Sequence, residues 1–166
     1  LRASETADII AASCPQAPRY LDPRLREFFF GQFQGMLSAE VKGFFDPIKA
    51  EWYRGELGVP LPGGGESAKD VIVRGHAAFQ DAARSGSLVV MVTHGGIIKW
   101  SLAAIEFEER AAVQEFMASQ RVRSVLAAHV GNCSCCVVLF DHATKTLHGE
   151  HYFATLADGD TLDDTG

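Results

Sequence analysis

His94 stands at the end of an uninterrupted apolar run, Leu88-Val-Val-Met-Val-Thr93, and Gly95-Gly96 after it opens a helical pattern, Ile97-Ile-Lys-Trp100. A continuous run of this kind reads as a parallel strand buried on both faces. His94 then lies at the strand's carboxyl end, in the crevice where open α/β sheets bind ligands. The amides of Gly95 and Gly96, unobstructed by side chains at a helix N-terminus, suit an anion such as phosphate. Dinucleotide-binding folds open with a similar strand–glycine–helix pattern, but the G-x-G-x-x-G spacing is absent here. A lone histidine after a strand is equally compatible with a satisfied structural residue, so the segment needs the rest of the chain to give it meaning.

The elements around it alternate between helix and strand, which is an α/β pattern. The chain of 166 residues is long enough for one domain with a sizeable core. An Ala-rich helix is predicted from residue 2 to about 13, ending before Pro15 because proline disfavours helix at the preceding residue. Arg19-Tyr20-Leu21 is a short strand candidate. Residues 24–36, with four phenylalanines and two glycines and no clean period, read as a packed, irregular loop of the kind that carries sites. A helix follows from Ser38 to about Trp52, with Val41, Phe44, Phe45 and Ile48 on one side and a possible kink at Pro47. Ser67 and Asp70 form a capping pair for a helix whose apolar face runs through Ile72, Gly75, Phe79 and Ala82. After the 88–93 strand come a helix to about Phe107, a second helical piece at 108–119, and strands at 133–140 and 146–154 around the turn-prone Asp141-His-Ala-Thr144. The acidic residues 157–166 read as a frayed tail.

Bulk properties exclude some partners. A formal net charge of −6 argues against a sequence-independent nucleic-acid partner or an anionic membrane surface, since both need excess Lys and Arg. No apolar run reaches the roughly 18 residues that would span a bilayer, and no signal-peptide h-region opens the chain. A cytoplasmic protein is the expectation. Of the four cysteines, Cys133, Cys135 and Cys136 fall on one strand, where small buried apolar residues are the plain reading. Zinc would have to recruit His148 and His151, and the C-x-C-C spacing fits no common zinc module.

Four segments in order carry a larger signal: Leu1-Arg-Ala-Ser-Glu-Thr-Ala7, Leu25-Arg-Glu-Phe-Phe-Phe-Gly-Gln-Phe-Gln-Gly35, Gly64-Gly-Glu-Ser67 leading into Val73-Arg74, and Val92-Thr-His-Gly-Gly96. Together they resemble the histidine phosphatase superfamily, the phosphoglycerate-mutase-like enzymes. Asp22-Pro-Arg-Leu-Arg-Glu27 and Pro62-Gly-Gly-Gly-Glu-Ser67 look most like the fructose-2,6-bisphosphatase-like branch. The resemblance implies a three-layer sandwich, a mostly parallel sheet flanked by helices, in a single domain over 1–166. It implies phosphoryl transfer to a histidine and hydrolysis of the phosphohistidine by water, with no metal and no cofactor, on a small phosphorylated metabolite such as a sugar phosphate. Carried over residue by residue, Arg2 is a phosphoryl clamp, for which a guanidinium fork suits phosphate better than a point charge. Glu27 is the proton donor, and the phenylalanines after it offer a desolvated surrounding. His94 is the second histidine, bonded to phosphoryl oxygens beside Gly95. Glu66 would orient pocket groups or serve its helix's first turn. Residues 36–62 are an insertion or lid segment whose Phe44, Phe45, Lys49, Trp52, Tyr53 and Arg54 either meet substrate or pack the insertion.

One departure matters. The family's Arg-His-Gly motif, which holds the nucleophile, does not occur in these residues; the His-Gly pairs stand at 94–95 and 148–149. Arg74-Gly75-His76 has that composition in the wrong order. The expectation is a chain that begins about 50–70 residues into the family's fold, lacking a strand–helix–strand unit of ordinary size. As given it would have no phosphohistidine activity, because losing a covalent nucleophile removes the mechanism. Its 88–93 strand would show an unpaired apolar edge. The alternative is a catalytically dead, phosphate-binding or scaffolding relative.

Overall fold

The computed structural model describes residues 2–105, 119–127, 134–141, 143–144 and 146–155. Among them run α1 (Arg2–Ala12), α2 (Ser38–Tyr53), α3 (Ala68–Ser85), α4 (Gly95–Ile105), α5 (Gln120–Ala127), β1 (Ser134–Asp141) and β2 (Thr146–Thr155). The helix expected at 108–119 and the tail at 157–166 lie almost wholly outside the described residues.

The best-defined start is that of α3. Ser67 Oγ accepts from the Asp70 N–H at 3.2 Å while the Asp70 carboxylate accepts from the Ser67 N–H at 2.9 Å, so two orphan donors are satisfied reciprocally. The Ser67 hydroxyl, which also donates to that carboxylate at 2.7 Å, and then the Ser67 N–H hold the Asp70 carboxyl below its ordinary range. The buried face of α3 is Ala68, Val71, Gly75, Ala78 and Phe79. It is rotated from the expected stripe because small residues there let α4 pack close, which leaves Ile72 at the margin of the core.

α2 runs on through Pro47 without breaking. It delivers Trp52 to the centre of an aromatic cluster, where Phe28 stacks at 5.9 Å and Trp100 meets it edge-on at 5.8 Å. The fully buried indole donates Nε1–H to the Val59 carbonyl at 2.7 Å. Each such ring pair adds about 0.5–1.5 kcal/mol beyond its area burial. The other helix that packs on α4, α5, was not read from the sequence, although its buried Val122, Val125 and Leu126 keep helical spacing.

β1 and β2 pair antiparallel from Ser134↔Thr155 to Asp141↔Thr146, with irregularities around Val137. The Asp141 carboxylate closes the turn by accepting from the Ala143 N–H at 2.7 Å. Cys136, Val138 and Phe140 face the core from β1, while Leu139 is exposed. This hairpin is the sheet assigned among the described residues, and it is not parallel. Residues 88–93 carry no strand assignment, with Leu88 87% and Val90 65% exposed. A buried strand needs ladder partners beside it and helices on both faces; no described strand pairs with this run, so the expected apolar edge is bare. The short strand expected at Arg19–Leu21 also fails to form. Tyr20 and Leu21 are exposed, and Arg19 instead binds back to α1 through Asp8 at 3.0 Å and Ser4 Oγ at 2.7 Å.

Candidate active site

The loop that carries Glu27 is built from the bottom by charge. Asp22 accepts from the Arg24 N–H at 2.8 Å and starts a 3-10 turn, Pro23–Leu25. From α3, Arg74 reaches across the loop and donates to the carbonyls of Arg24, Arg26 and Glu27. The same guanidinium grips Glu66 at 2.8 and 2.9 Å. Glu66 also accepts two bonds of 2.7 Å from Arg26 and one of 2.8 Å from the Phe29 N–H. Burial pushes the Glu66 carboxyl up, but the hydrogen bonds from Arg74, Arg26 and the Phe29 amide outweigh it and bring it to about 2.

Backbone pairing completes the clamp. The Gln32 N–H donates to the Pro62 carbonyl at 3.0 Å and the Glu66 N–H to the Phe29 carbonyl at 2.9 Å. Gly31 makes this approach possible: its φ is +57°, and a Cβ there would stand 2.1 Å from the Pro62 oxygen.

Above this frame Glu27 meets the start of α4. Its Oε1 accepts from the Phe28 N–H at 3.0 Å, and its Oε2 lies 3.8 Å from His94 Nδ1. The His94 carbonyl accepts from the Ile98 N–H at 3.0 Å, so Gly95, Gly96 and Ile97 supply the first-turn amides that no helical carbonyl can satisfy. Thr93 Oγ1 donates to the Leu25 carbonyl at 2.6 Å and ties the 88–94 run to the acid loop. The two side chains are partly open, Glu27 at 34% and His94 at 19% exposure.

Gly96 is what lets the loop sit this close. A Cβ on it would stand 2.8 Å from the Phe28 ring and 2.9 Å from Glu27 Oε1. Gly96→Ala is therefore expected to cost about 1–3 kcal/mol of stability through overpacking. Urea unfolding would read it, and a variant as stable as the wild type would show the contact to be soft.

A cleft of about 300 Å³ opens beside Glu27 between α2 and α4. Gly95, Gly96, Lys99 and Trp100 line it from α4, Lys49 and Tyr53 from α2, and Phe28 and Phe30 from the acid loop. Of the residues singled out in the sequence, Glu27 and Gly95 line it, and His94 adjoins them through Glu27 without being among the cleft's lining. Phe28 and Phe30 share the cleft with Glu27, while Phe29 is largely exposed. Glu66 is turned away into its arginine pair, preceding the Ser67 cap rather than lying in the helix. Arg2 sits exposed at the start of α1, a helix that buries no residue, and is not among the cleft's lining.

Two contributions were missed. Arg74 had been weighed as part of a motif and as a false Arg-His-Gly, yet its place is as the staple of the acid loop. No local signal marked it, since the carbonyls it holds are far off in sequence. Lys99 was passed over inside an apolar helix; burial, and then the charge of Lys49, pushes its ammonium below the ordinary lysine range.

Comparison with known proteins agrees with this geometry. The profile of the histidine phosphatase superfamily (branch 1) matches residues 1–150. Phosphoglycerate mutase-like protein 4 of Arabidopsis thaliana is 36% identical over 100 residues, 59% of this chain and 44% of that protein. A metal-independent phosphoserine phosphatase of the same plant is 31% identical over 101 residues, 59% of this chain and 42% of that one. The chain thus spans less than half the length of these curated relatives. In fold it is similar to a mycobacterial glucosyl-3-phosphoglycerate phosphatase solved with inorganic phosphate, with a TM-score of 0.67 at 23% identity, covering 93% of this chain and 73% of that one. With a profile match over residues 1–150, this chain belongs to the histidine phosphatase superfamily.

Proposed function

We propose that the whole protein hydrolyses a small phosphomonoester, a sugar phosphate or other phosphorylated metabolite, through a phosphohistidine intermediate. The observation that carries this reading is the placement of Glu27 Oε2 3.8 Å from His94 Nδ1, beside the amides that open α4. In the first step a histidine nitrogen attacks phosphorus, the bond to the leaving oxygen breaks, and Glu27 gives that oxygen its proton. In the second, water attacks the phosphohistidine, the Glu27 carboxylate takes a proton from it, and phosphate departs. His94 and the Gly95 amide hold the phosphoryl oxygens as charge develops. Arg2 is assigned as a further phosphate ligand, and Glu66 as the group that orients the acid loop.

These 166 residues hold no Arg-His-Gly sequence, so the nucleophilic histidine is proposed to come from sequence outside them. A strand bringing it beside 88–93 would cover the bare apolar edge and turn that run into the interior strand of a mostly parallel sheet. Residues 36–62, chiefly α2, form the lid side of the cleft in a single domain. No helix among the described residues is long and apolar enough to cross a membrane, and a cytoplasmic location accords with that.

The whole protein is expected to release phosphate from p-nitrophenyl phosphate and, when quenched during turnover, to carry an acid-labile, alkali-stable phosphoryl group. Turnover without that intermediate would overturn the covalent route. Phosphate binding without turnover would favour the other reading, a phosphate-binding relative without catalysis, to which the missing Arg-His-Gly lends its one specific support.

A further inference from the structure

We infer that Thr93 is a positioning residue for the proton donor. Its hydroxyl sets where the Glu27 carboxyl stands relative to His94, and so how fast a poor leaving group departs. The inference rests on Glu27 acting as the acid of the proposed reaction. Thr93 itself is not among the residues that line the cleft, so its action is through the acid loop.

Glu27 and His94 are not bonded to each other. Glu27 Oε2 lies 3.8 Å from His94 Nδ1, outside hydrogen-bond range, and Oε1 is engaged by the Phe28 N–H at 3.0 Å. Their spacing is therefore held through the backbone on either side. His94 is joined to α4, because its carbonyl accepts from the Ile98 N–H at 3.0 Å. On the Glu27 side, each carbonyl from Arg24 to Glu27 has a side-chain donor. Arg74 takes those of Arg24, Arg26 and Glu27 and so holds the loop to α3. The Leu25 carbonyl goes the other way, to Thr93 Oγ1 at 2.6 Å. Among the described residues no backbone bond joins residues 24–28 to residues 88–94. The Thr93 hydroxyl supplies that tie, from the residue next to His94 to a residue near Glu27.

Gly96 supplies the opposing limit. A Cβ on it would stand 2.9 Å from Glu27 Oε1, so the loop rests on bare backbone there. Such a contact resists approach and does little against withdrawal. A short O–H···O bond resists withdrawal, and it is directional. Glycine and hydroxyl together fix the distance from both sides. A threonine suits the task because its branched side chain is stiff at χ1. Precision of this kind matters to the rate, since a displacement of about 1 Å in a reacting group costs about 10²-fold.

The first-turnover release of phenol and of p-nitrophenol by the whole protein, followed by rapid quench in alkali, tests this with phenyl phosphate and p-nitrophenyl phosphate. The two esters occupy nearly the same space and differ in how much the leaving oxygen needs a proton. Thr93→Val keeps the shape and removes the hydroxyl. It is expected to slow phenol release about 10–100-fold and p-nitrophenol release by about threefold at most, with half-saturation unchanged. Thr93→Ser should restore phenol release to within about threefold of the wild type. Equal losses on the two esters, no loss, or a loss that Thr93→Ser leaves unrepaired overturns the positioning role. Thr93→Ala is read in the same way if Thr93→Val does not fold, and failure of both to fold would assign the bond to the fold alone and overturn the inference. Glu27→Gln, measured alongside, separates the two levels. If Glu27→Gln slows phenol release no more than p-nitrophenol release, the acid assignment falls and the inference with it. If Glu27→Gln discriminates and Thr93→Val does not, the role of Thr93 falls alone. A whole protein that turns over neither ester overturns both.

Discussion

Glu27→Gln in the whole protein is expected to lower kcat for an alkyl phosphate by about 10²–10⁴-fold, the usual contribution of a positioned general acid. The substitution is nearly isosteric and keeps an oxygen that can accept from the Phe28 N–H, so the loop should stay in place. KM should change little, because the proton is needed only as the leaving bond breaks. The choice of substrate separates proton donation from mere positioning. A p-nitrophenolate leaves without needing a proton, so p-nitrophenyl phosphate should lose far less rate than glycerol 3-phosphate in the first step. Equal losses on the two substrates would remove Glu27 from the role of acid and leave it a structural neighbour of His94.

Arg74→Met should be the most destabilising single change, about 3 kcal/mol, the low end of the cost of removing one partner from a buried ion pair, because Arg26 and the Phe29 N–H still hold Glu66. Arg74 is 13% exposed and Glu66 12%, and the substitution also removes the donor that three loop carbonyls share. Against a total of about 5–15 kcal/mol for an ordinary domain, the variant would be marginal, with a large drop in melting temperature. Adding Glu66→Leu should recover part of the loss, since no charge is then left buried. The same pair predicts an acid response. With its carboxyl held near 2 against an ordinary 4.5, Glu66 contributes fully above about pH 4.5, and that contribution is lost as pH falls towards 2. It is on the order of 3 kcal/mol. Urea midpoints measured from pH 5 down to pH 2 should fall in the wild type and fall less in Arg74→Met; parallel curves would show that the arginine does not set this carboxyl.

What could be read along the chain was whatever is decided within a few residues. The Ser67–Asp70 cap, the Asp141 turn between β1 and β2, and the His94-Gly95-Gly96 helix start all depend on neighbours in sequence, and all stand where their residue types place them. The loop was legible through its composition and Glu27 through the family resemblance of its motif, and its distance to His94 was not, because Gly96 and the Phe28 ring set it jointly. The unpaired state of residues 88–93 belongs to partners, since an apolar run states only that it wants burial. Arg74 escaped notice for the converse reason. Its acceptors Arg24, Arg26 and Glu27 lie 47 to 50 positions away, and nothing local distinguishes a staple from a solvated helix arginine. For Arg2 the local pattern was clear, but α1 buries nothing, so no packing directs the side chain to the cleft.

The hydroxyl of Thr93 has one more implication. By donating to the Leu25 carbonyl it couples the loop that carries Glu27 to the run that ends in His94. A strand settling against the bare edge would thus carry the carboxyl, the imidazole and the start of α4 along in step, preserving their spacing.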